Sequence, residues 1–179
     1  MTSIYNARTF AFKSSQHFLF DTNVWIYNVG PTSTHHNVGL YSRLLSNILQ
    51  SSAQIYHNDL IISEFINRVL RIYHKAYCDI HGNIDYKSYR GTADFKQAMT
   101  AVKVSLDSIS SISKPLVSST YSSSLKGIAN YMENYPSDYN DIIISQQARA
   151  EQCILVTDDG DMSDYYCDIL TYNGRMLRV

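Results

Sequence analysis

No stretch of this chain approaches eighteen consecutive apolar residues, so no membrane span is expected. The first twenty residues hold Arg8 and Lys13 but no unbroken apolar run of the length a signal peptide needs, so secretion is not expected. Cysteine is scarce. Cys78, Cys153 and Cys167 form no CxxC, and one of the three would stay unpaired if the others bridged, which favours reduced thiols in a cytoplasmic protein. With 7 glycines and 3 prolines among 179 residues, a collagen-like chain is excluded. There is no GxGxxG, no phosphate-binding P-loop and no nucleophile elbow. Nor is there an excess of charge of one sign: 15 basic and 16 acidic residues leave a net charge of −1, so the chain as a whole is no polyanion-binding glue.

What is present is enough apolar material for a core. Hydrophobic residues make up 45% and charged residues 17%, which predicts one folded domain over residues 1–179. The charge is unevenly distributed along the chain. Residues 60–126 carry nine basic and five acidic groups, whereas residues 127–179 carry three and nine. A basic middle beside an acidic end suits a polyanion-binding surface next to a cation-binding pocket, although solvated faces of unlike sign would produce the same split. Tyrosine is the one residue in excess, at 15 positions without a repeat, as expected for rings at the rim of a core with wet hydroxyls.

His17-Phe-Leu-Phe20 reads as a buried strand running into the polar turn Asp21-Thr22-Asn23, and Val24–Tyr27 as a short helix stopped near Gly30-Pro31. Leu40, Leu44, Leu45 and Ile48 recur at helical spacing, Gln54–Tyr56 suits a second strand, and Asn58-Asp59 offers a cap for a helix over 59–74 lined by Leu60, Ile61, Phe65, Val69 and Ile72. Residues 78–91 read as a loop, and Phe95, Met99, Val102 and Leu106 mark another helix. Ten of the twenty residues 105–124 are serine, which predicts a connection, with apolar spacing resuming over Leu125–Met132. Pro136-Ser137-Asp138 opens a helix running from Asp141 to about Glu151. Cys153–Val156 is the clearest strand, ending in Thr157-Asp-Asp-Gly-Asp161, and Cys167–Thr171 suits a last strand. Helices alternating with short, wholly apolar strands predict an α/β fold with a parallel sheet.

In such sheets ligands bind beyond the carboxyl ends of the strands. Asp21 and the Asp158-Asp159-Gly-Asp161 cluster close two strands at that edge, and Glu64 and Asp141 lie early in helices that start there. Each acid taken singly has another explanation. Asp138 and Asp141 are spaced as a capping box, Asp158–Asp161 suits a solvated turn with Gly160 in a left-handed conformation, and Glu64 suits a water-facing position. Four acids from separated segments converging on one edge are harder to explain so, because converging carboxylates repel unless a hard divalent cation joins them.

Phe-Leu-Phe-Asp21-Thr-Asn-Val, Ser63-Glu64-Phe, Asp141-Ile-Ile-Ile-Ser-Gln-Gln-Ala and Ile-Leu-Val-Thr-Asp-Asp159-Gly-Asp161 together resemble, in the right order, the four acidic motifs of PIN-domain ribonucleases, and most of all the VapC-like toxins of toxin–antitoxin pairs. The resemblance covers about residues 16–72 and 125–172. It implies a parallel sheet sandwiched by helices in three α/β/α layers. It implies Asp21, Glu64, Asp141 and Asp159 as catalytic metal-holding acids for Mg²⁺ or Mn²⁺, Asp161 as an accessory ligand, and Thr22 and Asn23 as polar support. Asp158 falls on a variable position of the fourth motif, and Met162 stands where an aromatic residue is common. The segment 73–124 is longer than in many compact members.

The implied function is a metal-dependent endoribonuclease acting on RNA, the toxin of a pair with a cognate antitoxin partner, and a homodimer. The readings beside it are an RNA-processing nuclease without an antitoxin and a non-catalytic scaffold that binds RNA or protein. Arg68, Arg71 and Lys75 recur at helical spacing on the helix that carries Glu64, as either an RNA-backbone contact or a solvated face. His74, Cys78 and His81 lack a fourth ligand of matching spacing, so a zinc site is not expected. A haloacid-dehalogenase-type phosphatase would want Asp two positions after Asp21, where this chain has Asn23.

Overall fold

A computed structural model of the protein describes residues 3–31, 36–117, 132, 138–164 and 167–178. Six strands form one sheet in the order β1-β6-β5-β2-β3-β4, and every neighbouring pair is parallel. They are β1 (Ile4–Asn6), β2 (His17–Phe20), β3 (Gln54–His57), β4 (Lys114–Pro115), β5 (Ile154–Val156) and β6 (Ile169–Thr171). The helices are α1 (Thr22–Val29), α2 (Val38–Gln50), α3 (Asp59–His81), α4 (Tyr86–Tyr89), α5 (Ala93–Ile112) and α6 (Tyr139–Ala150), giving the three-layer α/β/α arrangement. Central strands of a parallel sheet are covered on both faces, and Phe18, Leu19 and Phe20 of β2 and Leu155 and Val156 of β5 are accordingly fully buried. From β2 the chain proceeds to β3 on one side, while β5 lies on the other, so the crevice at their carboxyl ends is the topological switch point of the sheet.

Local chemistry sets the helix ends. The Asn58 side chain accepts the Ile61 N–H at 2.8 Å and starts α3. Gly82, with φ of +89°, ends it by bonding its N–H to Cys78 O. α1 stops at Gly30, where a Cβ would stand 2.6 Å from the Ile26 carbonyl oxygen.

Three stretches depart from the sequence expectation. Helix α3 continues through residue 81 rather than stopping near 74, and residues 86–89 form a helical turn instead of open loop. Aromatic packing holds this extension: Tyr89 is fully buried, its ring centroid 5.0 Å from His74, 5.3 Å from Tyr77 and 5.6 Å from Phe95, and its hydroxyl donates to Asp94 at 2.6 Å. The serine tract is helical as far as Ile112, carried by the buried stripe Ala98, Val102, Ser105 and Ile109, while its exposed hydroxyls bond back to carbonyls of the preceding turn: Ser108 to Val104, Ser110 to Asp107 and Ser111 to Ser108. Ser105 instead reaches across to Val29 O at 2.6 Å.

The buried face of α5 runs Ala98, Val102, Ser105, Ile109, so Met99 is turned outward, as is Ile72 on α3. Gly160 opens a 3-10 turn over Gly160–Asp164 without the expected left-handed conformation, Gly82 being the positive-φ glycine among the described residues. β1 and β4 were not anticipated. Each is an edge strand of two or three residues, and Pro115 is tolerated because an edge has no partner for its missing N–H. Of residues 125–132 only Met132 is described, and Pro136 and Ser137 lie outside the described residues. No helix among the described residues is long and apolar enough to cross a membrane.

If residues 78–91 are packed as described, Tyr89→Ala should cost about 3–5 kcal/mol in urea unfolding, like other deletions of buried rings. A loop tyrosine would cost less than about 0.5 kcal/mol.

Candidate active site

Asp21 follows β2 and caps α1, its Oδ1 accepting the Thr22 N–H at 2.6 Å. Its Oδ2 accepts the Thr157 hydroxyl at 2.6 Å and the Asn23 side-chain amide at 2.9 Å. The residue is only 7% exposed. Burial pushes its carboxyl up to about 6; the Thr157 and Thr22 bonds act against this, and the charges of Glu64 and Asp159 add to it. This acid is fixed in place yet short of compensating charge.

Glu64 projects from the second turn of α3. Its Oε2 accepts the Thr22 hydroxyl at 2.9 Å and its Oε1 lies 3.3 Å from Arg68 Nε. Asp141 sits in the first turn of α6, and no hydrogen bond to its carboxylate occurs among the described residues. Asp138 caps that helix by accepting the Asn140 N–H at 2.8 Å, but the return bond of a capping box, from the Asp138 N–H to Asp141, is not formed. Burial first, then the charges of Asp138, Asp21, Asp159 and Glu64, push Asp141 up to about 7. Asp159 donates its N–H to Thr157 Oγ1 at 3.0 Å and accepts the Asp161 N–H on Oδ1 at 3.0 Å. Asp161 itself is exposed.

Glu64 and Asp159 therefore lie within reach of the charges of both Asp21 and Asp141, and Asp21 within reach of Asp141. Among the described residues, no three His, Cys, Asp or Glu side chains are placed to hold a metal ion as they stand. Glu64 is engaged by Arg68 in this arrangement. The donor set is oxygen only and includes two acids whose charge burial disfavours, which fits a hard divalent cation such as Mg²⁺ or Mn²⁺.

The residues expected to contact RNA are engaged differently from one another. Arg68 is paired with Glu64, Arg71 lies 5.7 Å over the Tyr86 ring, and Lys75 is exposed on the same helix. Thr157 was not singled out from sequence, although it stands inside the fourth motif. Fully buried, it donates to Asp21 and accepts from the Asp159 N–H, coupling two of the acids. Asp158 is bonded by Tyr27, Asn37 and Tyr41. Of the discounted zinc constellation, His74 Nε2 lies 2.9 Å from Ile84 O and 3.3 Å from Cys78 Sγ, while the His81 ring packs against Tyr77 at 4.5 Å.

The family model described as PIN domain matches residues 18–166. No curated protein matches the chain. One solved structure it resembles is VapBC2 from Rickettsia felis bound to a DNA fragment from its promoter, at a TM-score of 0.48 and 17% identity, over 87% of this chain and 97% of that one.

The raised carboxyls set the sign of a pH effect. The folded state binds protons at Asp141 and Asp21 more tightly than the unfolded chain does. Their contribution to stability is therefore full below about pH 4 and is lost as pH rises through about 6 for Asp21 and about 7 for Asp141. For buried Asp21, displacement from 3.8 to about 6 corresponds to roughly 3 kcal/mol. His57, lowered by burial of its ring, works in the opposite sense, so the difference between proteins is the quantity to read. In EDTA, Asp141→Asn should melt above wild type at pH 8, and the gap should narrow as pH falls through about 7 and close only below about pH 4.

Proposed function

This chain belongs to the PIN-domain family, and from that premise we propose that it is a metal-dependent endoribonuclease, hydrolysing RNA phosphodiester bonds at the acidic crevice between β2 and β5. What supports the reading is that Asp21 and Asp141, from separate segments at the carboxyl edge of the sheet, each have their charge opposed by burial and by neighbouring acids that include Glu64 and Asp159. A non-catalytic scaffold has no use for such an arrangement, which costs stability unless a cation or protons neutralise it.

Asp21, Glu64, Asp141 and Asp159 would hold Mg²⁺ or Mn²⁺, with Asp161 as an accessory on the exposed side. When bound, such an ion supplies a nucleophile-activating, charge-neutralising Lewis acid for the phosphate. The chain's own residues supply the rest. Thr157, Thr22 and Asn23 hold Asp21 through three hydrogen bonds, and the Thr22 hydroxyl also fixes Glu64. Arg68, resting on Glu64, is placed to exchange that carboxylate for an RNA phosphate, with Lys75 and Arg71 farther along the same helix.

The 179 residues are read as one nuclease domain with 73–124 as its extended segment. The wording and order of the four motifs resemble VapC-like toxins. On that resemblance we assign the protein as the toxin of a pair, working in the cytoplasm as a homodimer and neutralised by a cognate antitoxin. A small adjacent reading frame in the same operon, whose product co-purifies with this chain, is the expected signature.

Cleavage of total RNA by the purified protein should require Mg²⁺ or Mn²⁺ and stop in EDTA. Asp21→Asn, Asp141→Asn and Asp159→Asn should each lose more than about 100-fold in rate, beyond the range typical of partners outside the ligand set. Full cleavage in EDTA would rule out the metal mechanism. Arg71→Glu with Lys75→Glu should weaken RNA binding and flatten its salt dependence by roughly 0.7 per lost phosphate contact, whereas a merely solvated helix face would leave the slope unchanged.

A further inference from the structure

Asp158 stands between two residues of the crevice, yet its carboxylate is already taken. Oδ2 accepts the Tyr27 hydroxyl at 3.0 Å and the Asn37 side-chain amide at 2.7 Å, and Oδ1 accepts from the Tyr41 hydroxyl at 3.1 Å. These donors come from α1, from the residue preceding α2, and from α2 itself. The backbone of Asp158 is held as well: its N–H donates to Asn23 Oδ1 at 3.2 Å and its C=O accepts from Asn173 Nδ2 at 2.7 Å. Tyr41 is fully buried, lies 3.0 Å from Thr157 O, and accepts the Tyr172 N–H at 3.3 Å. One phenol thus ties α2 to the ends of β5 and β6.

A carboxylate has about four lone-pair sites; on Asp158 the Tyr27 hydroxyl and the Asn37 amide each fill one, and Oδ1 shares the single Tyr41 proton with Thr157 O. Joining a metal's ligand set would require Asp158 to give up these charge-assisted bonds. Asp159, one residue on, accepts the Asp161 N–H on Oδ1 and is felt electrostatically by both Asp21 and Asp141. Two adjacent aspartates thus serve opposite ends: the charge of Asp159 is felt by Asp21 and Asp141, while the half-buried carboxylate of Asp158 is bonded by donors from α1, α2 and the residue before α2.

We propose that Asp158 is a positioning residue: it locks the loop after β5 onto α1 and α2, so that Asp159 is presented beside Asp21. The proposal rests on reading the four acids as a metal site, and its test separates the two claims. Hydrogen exchange of the metal-free protein reads the lock alone, and calorimetric Mn²⁺ titration reads its consequence. In Asp158→Ala, amides of residues 157–161 should exchange about tenfold faster and Mn²⁺ affinity should fall about tenfold, at the lower end of what supporting partners of a metal site contribute. Asp158→Asn, which keeps an accepting oxygen, should restore both to within about threefold of wild type.

Tyr41→Phe keeps the ring and touches none of the four acids. It should shift both readouts in the same direction as Asp158→Ala, and non-additively with it. Should Asp158→Ala fail to fold, Tyr41→Phe carries the same two measurements. Loss of Mn²⁺ binding in Asp158→Asn as complete as in Asp159→Asn would make Asp158 a ligand and overturn the proposal. Unchanged exchange and affinity in Asp158→Ala, or in Tyr41→Phe where that variant stands in for it, would overturn it as well. If wild type binds no Mn²⁺, the metal reading has failed and the exchange measurement alone decides for or against the lock.

Discussion

Uncompensated negative charge at one edge of the sheet is the constraint on which the rest of the site depends. Asp21 and Asp141 are pushed up to about 6 and about 7 by burial and by neighbouring acids, while Glu64 is met by an arginine from its own helix. Around this charge the fold places neutral donors: the Thr157 hydroxyl, the Asn23 amide and the Thr22 N–H on Asp21, and the Thr22 hydroxyl on Glu64. Such donors fix the acids without cancelling them. A lysine or arginine buried among the four would have given a more stable metal-free protein and a poorer cation site.

The parallel sheet explains why four separate segments meet. Asp21 and Asp159 follow neighbouring strands, β2 and β5, joined by register pairs such as Leu19 with Leu155. Helices connecting parallel strands begin at the edge where strands end, so α3 delivers Glu64 from its second turn and α6 delivers Asp141 from its first turn to the same edge. Thr157 then couples the two strand ends directly, bonding Asp21 and the Asp159 backbone at once.

Much of this was legible in the sequence. β2 and β5 are unbroken apolar runs ending in polar turns, and the periodicity of α2 and of the first half of α3 is regular, so the fold class and the edge that gathers the acids followed from pattern alone. The serine tract of α5 reads as a connection by composition, whereas the stripe of Val102, Ser105 and Ile109 continues through it and packs the helix. The far end of α3 was hidden because aromatic packing around Tyr89, rather than an apolar stripe, holds it. The partners of Asp158 lay beyond any local pattern: Tyr27, Asn37 and Tyr41 are more than a hundred residues away along the chain. β1 and β4 are too short to carry a period.

Thermal melting of wild type and Asp141→Asn at pH 7.5, in EDTA and in a Mn²⁺ series, tests the central claim most directly. If the four acids form a cation site, Mn²⁺ should stabilise wild type in a concentration-dependent way, by about 2.7 kcal/mol at a hundred times the dissociation constant, and Asp141→Asn should gain little. If Asp141 is only a helix-start charge, its removal should cost about 0.3–1 kcal/mol in EDTA. Wild type and variant responding identically to Mn²⁺, with the variant melting lower in EDTA, would contradict the account.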